Sequence, residues 1–331
     1  MAQVRKLAIW PAWFTLLAAV LLAATTPALS ADSTYPTRSI RLLIGFPPGA
    51  AMDGVARPLA ARLSQLLGQP VIVENKPGAG GTLSSAAVAR APADGYTLGI
   101  GANGDLVIAP QLIKVDYDPR GSFTPISLVS REEGFVLLAH PSFPADSVKE
   151  LVDLARAQPG TIHYGSPGVG VPHHIGMEWF KKAAQINIVH VPFKGAGPMV
   201  SDLLGGQILL GIGNVTAAPL ITAGKMKAIA VTAPRRIPAL PGVATFAESG
   251  YPSVDIGGWF ALMGPASLPP AVIRTLNAAV REATQDSALN ERLFSYGMSA
   301  NPTTSEELAR LIRDDFAKWG KLIRDTGVTV E

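Results

Sequence analysis

Short strands that run into glycine-rich loops and then into helices recur along this chain, and they constrain its fold more than any other feature. In the first unit, the apolar run Ile40–Ile44 is followed by residues 46–49 (FPPG) and by an amphipathic helical pattern. Consecutive units of this kind predict a parallel sheet with helical crossovers. A helix that begins at such a loop has unpaired backbone N–H groups, which suit an anionic ligand. An ordinary loop without a ligand has the same pattern, so the first unit alone leaves both interpretations open.

Similar loops follow strands in two separate parts of the chain. The predicted strands end at Ile44, Glu74, Ile100, Tyr164, Val191 and Ile212. Ligands of open α/β sheets bind beyond the carboxyl ends of the strands. We therefore expect these six loops to converge on one cleft.

Two crossings connect the two sets of units. The apolar stretch 126–140, interrupted by charged residues at 131–133, predicts the outward crossing, and a strand over 256–263 predicts the return. The expected architecture is an α/β protein with two lobes, each a mainly parallel sheet flanked by helices, and a cleft between them. The predicted first lobe comprises residues 36–134 and 256–331, and the second comprises residues 135–255.

The N-terminus has the features of an export signal. Two basic residues precede the apolar run 13–24, and small residues follow it. We predict a signal peptide over residues 1–30, cleaved near Ser30 or Ala31, because the run is shorter than the roughly 20 residues of a membrane span. Removal of residues 1–30 lowers the formal net charge from +3 to +1.

Composition excludes several classes of protein. The 331 residues are 48% hydrophobic and 16% charged, which is typical of a globular chain. No basic patch interleaved with aromatic residues is present, so we expect no nucleic-acid partner. The absence of cysteine excludes disulfides, thiolate metal sites and the lipid attachment of a bacterial lipoprotein. We expect the mature chain to diffuse freely in a periplasm.

Neither catalysis nor a metal site is favoured by the reactive residues. Ser166 lacks the G-x-S-x-G pattern of a nucleophile elbow. His173, His174 and Glu178 are the tightest cluster of potential metal ligands, but H-E-x-x-H and a further ligand are missing. We predict no catalytic residue, metal or cofactor. A secreted α/β hydrolase that uses Ser166 or the histidine pair is the alternative of a different class.

Several motifs occur in a specific order. They are residues 46–49 (FPPG) with Asp53, residues 73–81 (VENKPGAGG), residues 94–98 (DGYTL), residues 191–195 (VPFKG) and residues 248–252 (ESGYP). This pattern resembles the Bug family, the solute-binding proteins of tripartite tricarboxylate transporters.

The resemblance implies a type II-like periplasmic binding protein whose lobes close on a small organic mono- or dicarboxylate without a cofactor. It further implies a monomer that delivers the ligand to integral-membrane transporter subunits. Ligand sensing for a signalling partner uses the same fold and remains an alternative.

The resemblance also implies which residues bind the ligand. In the first lobe they are Phe46, Gly49, Ala50, Ala51, Asp53 and Asn103, and in the second lobe they are Ser166, Gly168, His174, Gly195, Ala196 and Asn214. Two interpretations of Asp53 remain: its carboxylate stabilises the start of the helix, or it contacts the ligand.

The chain departs from the family pattern at three of the loop positions. Ala50 replaces a usual glycine, Met52 replaces a usual small hydroxyl residue, and Asn214 stands where an acidic residue is common. Because Met52 adds apolar bulk, we expect a ligand with an aliphatic or aromatic body and not a citrate-like one.

Overall fold

The computed structural model describes residues 35–132 and 134–329. The predicted signal peptide and its cleavage position near Ser30 or Ala31 lie outside these residues. Among the helices that the structure describes, none combines the length and the hydropathy needed to cross a membrane.

Strands and helices alternate along most of the described chain. The strands are β1 (Ile40–Ile44), β2 (Val71–Asn75), β3 (Thr97–Ala102), β4 (Phe123–Glu132), β5 (Val136–Ala139), β6 (His163–Ser166), β7 (Val189–Pro192), β8 (Leu210–Gly213), β9 (Lys227–Val231), β10 (Gly258–Pro265) and β11 (Met298–Ala300). The α-helices are α1 (Ala51–Leu67), α2 (Thr82–Ala89), α3 (Val148–Ala157), α4 (Pro172–Ala184), α5 (Ala196–Leu204), α6 (Ala218–Thr222), α7 (Pro270–Ala283), α8 (Ser287–Ser295) and α9 (Ser305–Thr326). A single π-helical turn, Gly104–Ile108, follows β3.

The strands form two sheets, one in each lobe. The first sheet has the order β11-β4-β10-β3-β1-β2, and the second has the order β7-β6-β8-β5-β9. The chain leaves the first sheet after β4 and returns to it at β10, as the two predicted crossings require.

Both sheets are mixed, so the prediction of mainly parallel sheets is wrong for the crossing strands. The strands β1, β2 and β3 are parallel, as are β6, β7 and β8. However, β10 is antiparallel to β3 and β4, and β5 is antiparallel to β8 and β9. The reason is geometric: a chain that crosses between lobes enters the new sheet at the end where the parallel strands finish, and it therefore runs in the opposite direction.

Local signals in the sequence mark several helix ends correctly. Gly68 ends α1 in the left-handed conformation, with φ of 66°. The side chain of Ser147 accepts a hydrogen bond from the backbone N–H of Glu150 at the start of α3. The short edge strand β11 was not predicted, because three residues carry too little periodicity.

The last helix connects the two lobes. Its residues Leu308, Trp319 and Ile323 belong to the same buried cluster as Phe180 of α4. From the first sheet, the Trp259 indole N–H donates to the Asp315 carboxylate at 2.6 Å. Helix α9 thus packs against elements of both lobes.

We expect the replacement Thr304→Ala to destabilise the protein by about 1 kcal/mol, because Thr304 caps α9. The Thr304 hydroxyl accepts from the Glu307 N–H at 3.2 Å, and the Glu307 carboxylate accepts from the Thr304 N–H at 2.9 Å. Urea denaturation measures the change. The control Thr275→Ala removes a hydroxyl that bonds only to Ala271 O within α7, and it should change stability by less than about 0.5 kcal/mol. Equal losses in the two variants would contradict the assignment of the cap.

Candidate ligand-binding site

The first turn of α1 presents backbone N–H groups that its N-cap residue leaves without a side-chain acceptor. Ala50 is the N-cap of α1, and its side chain offers no capping hydrogen bond. The first N–H groups of a helix have no partner within the helix. Because Ala50 and Ala51 are small and only half-buried, these N–H groups and the positive end of the helix dipole are accessible to an anion.

Asp53 holds this loop in place. Its carboxylate accepts hydrogen bonds from Gly49 N at 3.0 Å and Asn75 Nδ2 at 2.9 Å, and it pairs with the Arg57 guanidinium at 2.8 Å. Asn75 Nδ2 also donates to Phe46 O at 2.9 Å. The contacts within the chain therefore use both oxygens of Asp53, and they show the loop-stabilising role. Direct contact with a ligand stays a prediction.

The loops after β1, β2 and β3 lie against one another. A Cβ atom added to Gly45 would come within 2.5 Å of Gly81 Cα, so only glycine allows this approach of the two backbones. A Cβ atom on Gly81 would in turn lie 3.3 Å from Asp105 Cβ and 3.5 Å from Phe46 Cε2. The predicted convergence of the first-lobe loops is confirmed.

Asp105 fixes the turn that follows β3. Its buried carboxylate accepts from Ser85 Oγ at 2.5 Å and from Ala102 N at 2.8 Å. Burial raises the pKa of Asp105 to about 6, although these hydrogen bonds act in the opposite direction. The turn places Asn103, whose side-chain amide donates to Gly257 O at 3.0 Å, at the point where the chain returns to the first sheet.

In the second lobe, a hydrogen-bonded group follows β6. The Ser166 hydroxyl donates to Gly168 O at 2.8 Å and lies 2.7 Å from His190 Nε2. The backbone N–H of Gly170 donates to His174 Nδ1 at 3.2 Å, and the rings of His174 and His190 stack with centroids 3.8 Å apart.

The two stacked histidines are neutral. Burial, assisted by the charge of Lys181, lowers the pKa of His174 to about 4. Burial and the adjacent His174 lower the pKa of His190 to about 3. This pair therefore offers imidazole hydrogen bonds at neutral pH, and no imidazolium charge.

The Ser166–His190 pair resembles a nucleophile and its base. The Ser166 hydroxyl lies within hydrogen-bond distance of both Gly168 O and His190 Nε2, and the donor between the two side chains depends on the tautomer of the histidine. The Gly168 N–H also donates to Ser166 Oγ at 3.2 Å, so these contacts give the serine a role in stabilising its own loop.

The loop after β7 joins the same group through the backbone. Gly195 N donates to Pro167 O at 2.9 Å, and Phe193 N donates to Ser166 O at 2.9 Å. Gly195 is the N-cap of α5 with φ of 110°, a conformation that favours glycine, and it provides no side-chain cap. The first N–H groups of α5, beginning with Ala196, are therefore without an acceptor from their cap, as at α1.

A third polar group lies where the lobes are joined. Asn214, which follows β8, donates from Nδ2 to Glu132 Oε1 at 2.5 Å. A Cβ atom added to Gly258 would lie 3.1 Å from Glu132 Oε2 and 3.8 Å from Asn103 Oδ1. Burial raises the pKa of Glu132 to about 8, and the hydrogen bond from Asn214 only partly opposes this.

His173 adjoins this group. Its ring stacks on Phe135 with centroids 3.7 Å apart, and both ring nitrogens are buried without a hydrogen-bond partner among the described residues. Burial lowers the pKa of His173 to about 3, and the nearby amide of Asn214 acts in the opposite direction.

Met52 does not shape the site in the way that the sequence suggested. Only 2% of the residue is exposed, and it packs in the core of the first lobe with Val55 and Leu59. Its apolar side chain therefore gives no information about the body of the ligand.

A cavity of about 270 Å³ lies beside β4 and β10. Arg131 and Trp259 line it, and they are the strand neighbours of Glu132 and Gly258. Gly257 and Gly258 also line it, so the cavity adjoins the chain segment that returns to the first sheet beside Glu132.

The twelve predicted site residues fall into three groups. Phe46, Gly49, Ala50, Ala51 and Asp53 surround the start of α1; Ser166, Gly168, His174, Gly195 and Ala196 form the group of the second lobe; Asn103 and Asn214 lie beside Glu132. A Cβ atom on Gly104 would be 4.0 Å from Pro172 Cδ, so the loop after β3 approaches the start of α4 across the lobes. The role of the twelve predicted residues in ligand binding stays a prediction.

Comparison with known proteins identifies the family. Residues 55–328 match the model of the tripartite tricarboxylate transporter family receptor. The chain belongs to this family.

Other receptors of this family match along nearly their whole length. Protein BugT of Bordetella pertussis is 35% identical over 306 residues, which cover 92% of this chain and 93% of BugT. The structure of Rpa4515 of R. palustris with adipate has a TM-score of 0.82 at 32% identity, covering 89% of this chain and 99% of that one. The structure of MatC (Rpa3494) from Rhodopseudomonas palustris with bound malate has a TM-score of 0.79 at 31% identity, covering 87% of this chain and 100% of MatC. These matches confirm the two-lobed fold and the solute-binding class.

The predicted set of binding residues does not include four polar residues of this receptor that contact or adjoin the site. They are Asn75, Glu132, His173 and His190. For Glu132 a signal was present, because a charged residue inside an otherwise apolar crossing requires a specific partner. His173 was considered for a metal, and among the described residues no cluster of three or more His, Cys, Asp or Glu could hold one.

The replacement Asp53→Asn should destabilise the receptor by about 2 kcal/mol at pH 7, with the loss shrinking in acid. Burial opposes ionisation of Asp53, but the hydrogen bonds from Arg57, Gly49 and Asn75 outweigh it and lower the pKa to about 2. A lowered pKa favours folding of the ionised form, so its stabilisation is complete above about pH 4 and is lost as the pH falls towards 2. Denaturation curves between pH 2 and 7 test this. The exposed control Glu291→Gln should follow the wild-type profile. A loss for Asp53→Asn that does not change with pH would contradict the assignment.

Proposed function

We propose that this receptor captures a small organic carboxylate in the periplasm and delivers it to integral-membrane subunits of a tripartite tricarboxylate transporter, acting as a monomer. The observation that carries the proposal is the pair of uncapped helix starts, at Ala50 in the first lobe and Gly195 in the second. Both present backbone donors beside small residues.

Carboxylate is the chemistry that suits these donors. An ionised carboxylate accepts several hydrogen bonds and is stabilised at the positive end of a helix dipole. The loop carries no uncompensated positive side chain, because Arg57 is paired with Asp53. Recognition therefore depends on oriented N–H groups and requires an acid small enough to reach them.

The structures of two relatives were solved with an organic acid. One was solved with adipate and the other with malate. We infer that this chain takes an acid of the same general class, in which one carboxylate lies at the start of α1. The proposed binding residues are the twelve named above.

The proposal includes no catalytic step, so the ligand is released unchanged. The contacts of Ser166 within its own loop, to Gly168 O and from Gly168 N, fit a structural role for this serine. The proposed first lobe comprises residues 36–134 and 256–331, and the second comprises residues 135–255. Export uses the predicted signal peptide of residues 1–30.

Thermal shift with adipate, malate, citrate, hexanoate and benzoate tests the proposal. A ligand that binds only the native state stabilises it by RT ln(1 + [L]/Kd), or about 2.7 kcal/mol at a hundredfold excess over Kd. We expect at least one of these acids to raise Tm and to be recovered unchanged. No shift with any of them, or conversion to a product, would contradict the proposal.

The variant Ala51→Asp should abolish this shift and leave the fold intact. A carboxylate in the first turn of a helix suits the dipole, so α1 is not weakened, but its charge repels the ligand carboxylate. The matched control is Ala288→Asp, which places the same side chain in the first turn of α8 at an exposed position. If Ala51→Asp retains the wild-type shift, the ligand lies elsewhere.

A further inference from the structure

His173 is a buried polar side chain without a partner. It lies in the first turn of α4, is 8% exposed, and neither ring nitrogen makes a hydrogen bond among the described residues. A neutral imidazole has one N–H donor and one acceptor nitrogen, and buried groups of this kind are nearly always hydrogen-bonded. Its neighbour Pro172 approaches the loop after β3, so His173 lies near the junction of the lobes, where its ring stacks on Phe135.

Glu132 provides a second polar group at the same junction. It ends β4, the strand from which the chain leaves the first sheet, and it is 6% exposed. Asn214 Nδ2 donates to Oε1, and the glycine at position 258 leaves space beside Oε2. Asn214 connects the two groups, since its amide also affects the pKa of His173.

The groups around Glu132 are neutral. Asn214 contacts it from the loop after β8, and Gly258 and Met298 are its partners on β10 and β11. A Cβ atom on Gly258 would lie near both Glu132 Oε2 and Asn103 Oδ1, and His173 of α4 adjoins Asn214. His173 is the titratable group among them, and its low pKa keeps it uncharged at neutral pH. Burial raises the pKa of Glu132 to about 8, so its carboxyl group is protonated at pH 7.

We infer that His173 and Glu132 together bind the second carboxylate of a dicarboxylate whose first carboxylate lies at the start of α1. The inference rests on the proposed function and names its ligand more closely. The imidazole N–H and the Glu132 O–H both donate, and a carboxylate accepts both. A monocarboxylate with a methyl group at the same place leaves both donors unpaired, so the site discriminates against it.

Binding of matched acids to the variant His173→Phe tests the first donor. The phenyl ring preserves the stacking on Phe135 and lacks both nitrogens. The acid pairs are adipate with hexanoate and malate with 3-hydroxybutanoate, each differing by one carboxylate. By titration calorimetry at pH 7, the wild type should prefer the diacid of a pair at least tenfold. The variant should lose at least tenfold for the diacid and less than threefold for the monoacid.

The control for this experiment is His163→Phe, which replaces an exposed histidine at the start of β6 and should bind like the wild type. Equal losses for diacid and monoacid in His173→Phe, or no preference for the diacid in the wild type, would overturn the inference.

The pH dependence of binding tests Glu132. As Glu132 ionises, it loses its donor and repels the ligand, so diacid binding by the wild type should weaken about tenfold between pH 7 and pH 9. The variant Glu132→Gln keeps a neutral donor and the hydrogen bond to Asn214, and it should bind at pH 7 without this pH dependence. The exposed control Glu291→Gln should follow the wild-type profile. The same profile in the wild type and in Glu132→Gln would overturn the role of Glu132.

These outcomes are separable from failure of the proposed function. If no acid in the thermal screen binds, the proposed function fails and the inference fails with it. If acids bind and Ala51→Asp abolishes binding, while His173→Phe affects diacid and monoacid equally, only the inference fails.

Discussion

The antiparallel pairing of β4 with β10 is the constraint on which the rest of the molecule depends. Glu132, the last residue of β4, lies directly opposite Gly258, the first residue of β10. The chain passes between the lobes beside this pair in both directions. The register therefore fixes the junction of the lobes at the end of the sheet where β1, β2 and β3 also finish, and there the loop after β3 approaches the start of α4.

In the proposed site, the groups offered to an anion are oriented and neutral. The N–H groups at the starts of α1 and α5 are held by contacts elsewhere in their loops, Asp53 with Gly49 in one and Pro167 with Gly195 in the other. The stacked rings of His174 and His190 are uncharged because burial lowers their pKa values. Neutral donors that are already fixed bind an anion without reorganisation, and selectivity then depends on how many of them the ligand satisfies.

The sequence predicts the parts of this arrangement that local chemistry determines. Helix starts at Ser147 and Thr304, the glycine at the end of α1 and the loops after the parallel strands follow from capping and turn preferences. The direction of β5 and β10 was missed because it depends on how the crossings enter each sheet. His173 and Met52 were misjudged for a related reason: helical spacing gives the face of a side chain only when the surrounding elements are known, and those elements come from distant parts of the chain.

The contact between Asn214 and Glu132 gives a physical reason for an asparagine at position 214 of this chain. By resemblance, an acidic residue is common at position 214, but here Asn214 Nδ2 lies 2.5 Å from Glu132 Oε1. An acid in that place would bring two carboxyl groups within hydrogen-bond distance in a buried region, and one of them would have to remain protonated. Asparagine avoids the conflict, since its amide donates to Glu132 and introduces no charge. The carboxyl group of this region is therefore that of Glu132 on β4, at the lobe junction. Asn214, which follows β8, orients it through its hydrogen bond.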